Sequence, residues 1–148
     1  MLITREQLYI GVFNLLSTAS GFNSYWRRFV PVQQLTSPQM PALMMRELRE
    51  QRTEGFALPP KYTVDIDVGI ICETQSDMSG LLPAAVINPL LDNVEAVLDP
   101  PPTPEYVVTL GLDGVSRIWI EGNIEILETV PGSTDRTFAL IPVRVICQ

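Results

Sequence analysis

The sequence predicts an α+β domain: a small, mostly antiparallel sheet of about four strands with two helices packed on one face. Three observations lead there. Apolar residues recur at helical spacing in two stretches, around Leu8 to Ala19 and around Val86 to Leu98. Apolar and polar residues alternate through Tyr62 to Ile71, and Ala139, Ile141, Val143 and Val145 face one way at the end of the chain. Pro131-Gly132-Ser133 separates the last two strand-like runs, as in an antiparallel hairpin. At 148 residues the chain is about one average domain, and 46% hydrophobic against 18% charged residues is the composition of a folded one. We read residues 1–148 as a single domain.

Taken in order, Thr4 and Gln7 have capping-box spacing, and Leu8, Val12, Leu15, Leu16 and Ala19 then line one face until Gly21, which predicts a helix over 4–19. Tyr25 to Val30 is aromatic and β-branched and ends at Pro31, as a short strand would. Three prolines between 31 and 41 predict a loop, and Ala42-Leu43-Met44-Met45 a buried strand. From Arg46 to Pro60 mixed charge, Gly55 and Pro59-Pro60 replace any sustained period, which predicts a solvated loop. Arg46, Arg49 and Arg52 would form a basic stripe on a helix, but Glu47, Glu50 and Glu54 interleave with them.

In the strand 62–71, Tyr62, Val64, Ile66, Val68 and Ile70 face the core, and Asp65 and Asp67 are expected to face water. The second helix has Pro83 in its first turn and Pro100-Pro101-Pro102 as its stop, with Pro89 marking either a fresh cap at Asn88 or a bend. Ile118, Ile120, Ile124 and Ile126 then fall on one face of a long strand that Gly122 interrupts. The last strand, 137–147, carries Pro142 and should therefore lie at an edge or hold a bulge.

Several function classes are disfavoured by composition. A net charge of -7 argues against a surface that grips phosphates by counterion release. The absence of histidine removes the commonest general base and the usual zinc ligand. No G-x-S-x-G and no phosphate-binding glycine loop occurs, and Gly111-Leu112-Asp113-Gly114 reads as a turn. Asp65 and Asp67 share a strand face about 7 Å apart, a spacing that could hold Mg²⁺ or divide acid and base roles, but the ordinary solvent-facing reading is preferred. Glu121, Glu125 and Glu128 add acidity without ligand geometry. The expectation is no enzyme activity, no cofactor and no metal. Cys72 and Cys147 are read as reduced thiols. The start of the chain lacks a secretory apolar region, and no apolar run approaches the ~20 residues of a membrane helix.

A set of short motifs goes further in its order and spacing. These are Pro-Ala-Leu-Met at 41–44, Pro-Pro-Lys-Tyr at 59–62, Asn-Pro-Leu-Leu-Asp at 88–92 with Glu95, Thr-Leu-Gly at 109–111, Trp-Ile-Glu-Gly at 119–122 and Ala-Leu-Ile-Pro-Val at 139–143. Through them about two thirds of the chain resembles the tail terminator proteins of long-tailed bacteriophages, also described as minor tail or tail completion proteins. Leu112 stands where that family often has a second glycine, and the first 40 residues match only in general character.

The resemblance implies a virion protein, assembled in the host cytoplasm, that forms a homo-hexameric ring. That ring would cap the tail tube, end its polymerisation and join the tail to the head. The implied partners are other copies of the chain, the tail tube protein and a head completion or connector protein, with a sheath protein as a further candidate. DNA would pass through the channel without specific binding, and no membrane is involved. Proline-rich loops on a small sheet suit ring contacts, and an acidic balance suits a DNA channel. In that setting Arg46, Arg49, Arg52 and Phe56 are the candidate assembly contacts. The alternatives are another phage neck or tube subunit and a monomeric binding module; a carboxylate enzyme using Asp65 and Asp67 is a third class.

Overall fold

The structure is a computed structural model that describes residues 3–56, 58–74, 83–99, 109–132 and 135–147. Its elements are α1 (Arg5–Leu16), β1 (Ser24–Trp26), two 3-10 turns (Val32–Gln34 and Ser37–Gln39), β2 (Ala42–Thr53), β3 (Lys61–Glu73), α2 (Pro83–Leu98), β4 (Val115–Ile120), β5 (Glu125–Leu127) and β6 (Arg136–Cys147). The sheet order is β1-β2-β3-β6-β4, with β5 pairing β6 as well. β1 runs parallel to β2 and the other pairs are antiparallel. The α+β class is as expected. A mixed sheet of six strands corrects the expected four.

The capping box forms as its spacing predicts: Gln7 N donates to Thr4 Oγ1 at 3.1 Å and Thr4 N donates to Gln7 Oε1 at 2.9 Å. Helix α1 is shorter than the expected 4–19, because Ser17 Oγ turns back to the Phe13 carbonyl at 2.8 Å and competes with the next helical turn. Both helices pack on one face of the sheet. There Leu8, Val12 and Leu16 of α1 and Ile87, Val94 and Leu98 of α2 meet Val64, Ile66, Val68 and Ile70 of β3 in a single buried cluster. Each fully buried aliphatic side chain of this kind contributes about 1.5–3 kcal/mol. Leu91 lies on the shoulder of the stripe and stays half-buried.

Pro89 sits inside one continuous helix, so Asn88 does not cap a fresh one. It is exposed, and so is Ala85, whose carbonyl loses its i+4 donor on the side where water can replace it. The stop expected at Pro100 to Pro102 lies outside the described residues.

The opposite face of the sheet is half covered. β1 ends at Trp26, short of the expected Val30, because Phe29 and Val30 leave the sheet and fold over this second face. With Leu35 and Met40 they form a smaller cluster on Ala42, Met44 and Ile71. The expected loop 31–41 is therefore a packed cover built on two 3-10 turns, held by Arg136, which donates to the carbonyls of Val32 and, at 2.9 Å, Leu35. Gly69 permits the cover to sit close. A Cβ there would stand 3.0 Å from Phe29 Cζ and 3.1 Å from Phe138 Cε2, inside ordinary van der Waals contact.

The long strand expected over 118–126 is two strands. Gly122, at φ +100, breaks it, and Ile124, just before the second strand, and Ile126, within it, are exposed instead of buried. Pro142 explains the break. β6 is an interior strand, contrary to the edge position expected for a proline, and its missing N–H falls where β6 changes partner from β4 to β5. The Pro142 carbonyl still accepts from Glu121 N at 2.9 Å. The hairpin of β5 with β6 forms as predicted, its turn including Pro131 and Gly132, while Ser133 lies outside the described residues.

Cys72 and Cys147 are buried free thiols, and burial pushes the Cys72 thiol up to about 11. A thiol-specific reagent should label neither in the native protein within the time that labels both after denaturation; rapid native labelling would contradict this packing. Ile87→Ala, at a site with no solvent exposure, should lower stability by about 2–5 kcal/mol. Chemical denaturation reads that loss, and an unchanged midpoint would show that α2 does not close the core.

Candidate functional site

The segment expected to be a loop, Arg46 to Pro60, is mostly the outer half of β2, and only residues beyond Thr53 form the connection to β3. Its alternation is hidden by a β-bulge. Glu47 pairs with Ile66 and Arg49 with Asp65, so Leu48 is an extra residue on β2. Arg46 and Arg49, three apart in sequence, consequently point to the same, outer face. Arg52, opposite Tyr62, points to the helix face together with Glu50. The structure thus brings Arg46 and Arg49 together and sends Arg52 elsewhere, where it pairs with Glu54 and lies over the Tyr62 ring.

On the helix face the glutamates of β2 are matched by arginines from α1 and from the segment after β1. Arg5 Nη2 meets Glu50 Oε1 at 2.7 Å, and Arg27 bridges Glu6 and Glu47. On the outer face the signs reverse. Asp65 and Asp67 project from β3 into the part of the sheet that the 29–40 cover leaves open, and arginines reach them from both neighbouring strands.

Arg46 donates from Nε and Nη2 to Asp67 Oδ2 at 3.0 and 2.8 Å, and its guanidinium also lies 4.5 Å from the Phe29 ring centre. Arg49 donates from the same two atoms to Asp65 Oδ2 at 3.1 and 2.7 Å. From β6, Arg144 Nε donates to Asp65 Oδ1 at 2.8 Å, and its Nη1 lies 3.6 Å from Glu121 Oε1. Glu121 also accepts from the Trp119 indole, and Arg117 stacks on that ring at 4.6 Å. A ladder of alternating charge therefore runs across the sheet from β2 to the end of β4.

The two aspartates are not the water-facing residues expected. Their side chains are 8% (Asp67) and 14% (Asp65) exposed, while the arginines above them remain open at 47% (Arg46) and 64% (Arg49). Carboxylates so placed act as anchors that hold guanidiniums in fixed positions. The hydrogen bond from Arg144, reinforced by Arg49, holds the Asp65 carboxyl below its ordinary range against the opposing effect of burial. Both aspartates accept hydrogen bonds from arginines, Asp67 through Oδ2 and Asp65 through both oxygens.

The concavity among Leu48, Arg49, Asp65, Glu121 and Arg144 is about 180 Å3, below the several hundred that enclose a small-molecule substrate. Among the described residues no group of three or more Cys, Asp or Glu is placed to hold a metal ion. Among them, too, no helix is long and apolar enough to cross a membrane.

Phe56, at the turn between β2 and β3, is fully exposed, and Leu58 beside it is largely so. The hairpin tip thus presents apolar side chains at the end of the sheet. Arg144 is the member of the ladder that residue patterning overlooks. Its signal is a single cation within the apolar run 138–146 of the terminal strand, whose outward positions line up with those of Asp65 and Asp67.

The depressed Asp65 pKa sets a pH dependence with a definite sign. A carboxyl held below its unfolded value stabilises the fold above that value, and the contribution is lost as pH falls through the folded pKa. Asp65→Asn should therefore melt below the wild type at neutral pH, and the gap should close on acidification below the ordinary carboxylate range. A gap of constant size across that range would mean that the ladder does not stabilise the fold.

No protein-family model matches the chain, and no curated protein matches it.

Proposed function

We propose that the chain is a structural subunit of a phage tail, a ring-forming terminator that caps the tail tube, stops its growth and joins it to the head. The motif order from Pro41 to Val143 supports this reading. The structural observation that carries it is the β2–β3 hairpin, whose turn offers Phe56 and Leu58 to solvent on a frame braced by ion pairs on both faces. Exposed apolar groups on a rigid element are the usual form of a contact that a partner completes. The commitment of Asp65 and Asp67 to arginines favours a structural role over a carboxylate enzyme. A head completion or tube subunit on the same sheet is the neighbouring reading.

Phe56→Ser should leave the melting temperature nearly unchanged, since exposed positions move stability by about 0.5 kcal/mol or less, yet weaken attachment to tail tubes. Electron microscopy of particles made with this variant should show tails of abnormal length or heads without tails. A full deletion of the protein that still gave tails of normal length would overturn the assignment.

A further inference from the structure

The ladder leaves unused donors. Nη1 of Arg46 and Nη1 of Arg49 carry no hydrogen bond among the described residues, although Asp67 and Asp65 fix the rest of each guanidinium. Two rigid donors spaced by two residues of β3, about 7 Å, stand on the outer sheet face. A guanidinium whose orientation is already fixed loses little side-chain entropy on meeting a carboxylate, so this ridge is prepared for acidic groups.

The chain itself supplies such a surface. No Lys or Arg occurs between Lys61 and Arg117. Within that stretch Asp92 and Glu95 on the exposed side of α2, and Asp99 just past its end, lie at i, i+3 and i+7, with no ion pair among the described residues. Adjacent carboxylates on this helix face are roughly 5–6 Å apart at Cβ, close to the spacing of the two arginines. Because α2 packs on one face of the sheet and the arginines stand on the other, a single copy cannot join the two surfaces.

We propose that the Arg46 and Arg49 ridge of one copy docks on the Asp92, Glu95 and Asp99 face of α2 in the next. The inference rests on reading the chain as a self-assembling subunit and names the two patches that meet. The contact is heterologous: each copy keeps one free patch of either sign, so assembly continues until a ring closes or a filament grows.

Two variants test it. Asp92→Lys with Glu95→Lys alters only exposed helix residues, and Arg46→Gln with Arg49→Gln removes the charge of the ridge; circular dichroism checks that each folds. Analytical ultracentrifugation of the full chain should show that each variant alone associates about tenfold or more weakly than the wild type. Mixed together they should form a dimer and stop, because the intact ridge of the first fits the intact helix of the second and no second good contact exists. Association of the wild type should also weaken steeply with salt.

Should the ridge variant fail to fold, the helix variant and the salt profile decide. Wild-type assembly that the helix variant leaves unchanged, or a mixture that stays monomeric, would overturn this contact while leaving the ring reading intact. A wild type that is monomeric at every concentration, with and without tail tubes, would overturn both.

Discussion

Two carboxylates on the central strand of a sheet have to be neutralised by cations from the strands beside it, and much of this fold follows from that demand. β3 is flanked along its length by β2 and β6, so Asp65 and Asp67 have little access to water. Unpaired, each would be a buried charge costing several kcal/mol. Arg46, Arg49 and Arg144 meet them from both sides, and the bulge at Leu48 is the device that brings Arg49 opposite Asp65. Without it, an ordinary ladder would place Leu48 there and turn Arg49 toward the helices. The electrostatics of one strand thus constrain the register of its neighbour.

The same pairing separates the two faces of the molecule. On the helix side a continuous apolar cluster joins α1, α2 and the sheet, and the charged ends of β2 are tied down by Arg5 and Arg27. On the outer side the apolar cover from Phe29 to Met40 takes one half of the sheet and the ladder takes the other. Burial supplies most of the stabilisation. The ion pairs, partly open to solvent through their arginines, define where surface groups point more than they add to stability.

How much of this the residues reveal depends on the range of the interactions involved. The capping box of α1, the stripe of α2 and the alternation of β3 are local signals, and each corresponds to an element in nearly the expected place. The outer half of β2 is hidden because its apolar partners are absent: Arg46, Glu47, Arg49 and Glu50 are satisfied by residues 16 to 45 positions away, and the bulge breaks the period of two. Pro142 misleads for a related reason. A proline's missing donor excludes it from an interior strand only where a partner needs that donor, and here the partner strand is interrupted. Of the candidate contacts, Arg46 and Arg49 belong to one surface, Arg52 to the other, and Phe56 to the tip, a division that depends on a single inserted residue.

That residue has a consequence for how the chain can vary in length. Leu48 is extra with respect to the pairing it interrupts: Glu47 opposite Ile66 and Arg49 opposite Asp65 are already consecutive steps of an ordinary antiparallel ladder. Removing it would relax the local twist and leave every cross-strand neighbour from Ala42 to Thr53 in place. Deletion of a paired residue of β2 away from the bulge would instead reverse the outward and inward sets beyond it. Among related sequences, a one-residue gap in this hairpin is therefore expected at Leu48, at a point where evolution can change the hairpin's curvature without rewriting its surface.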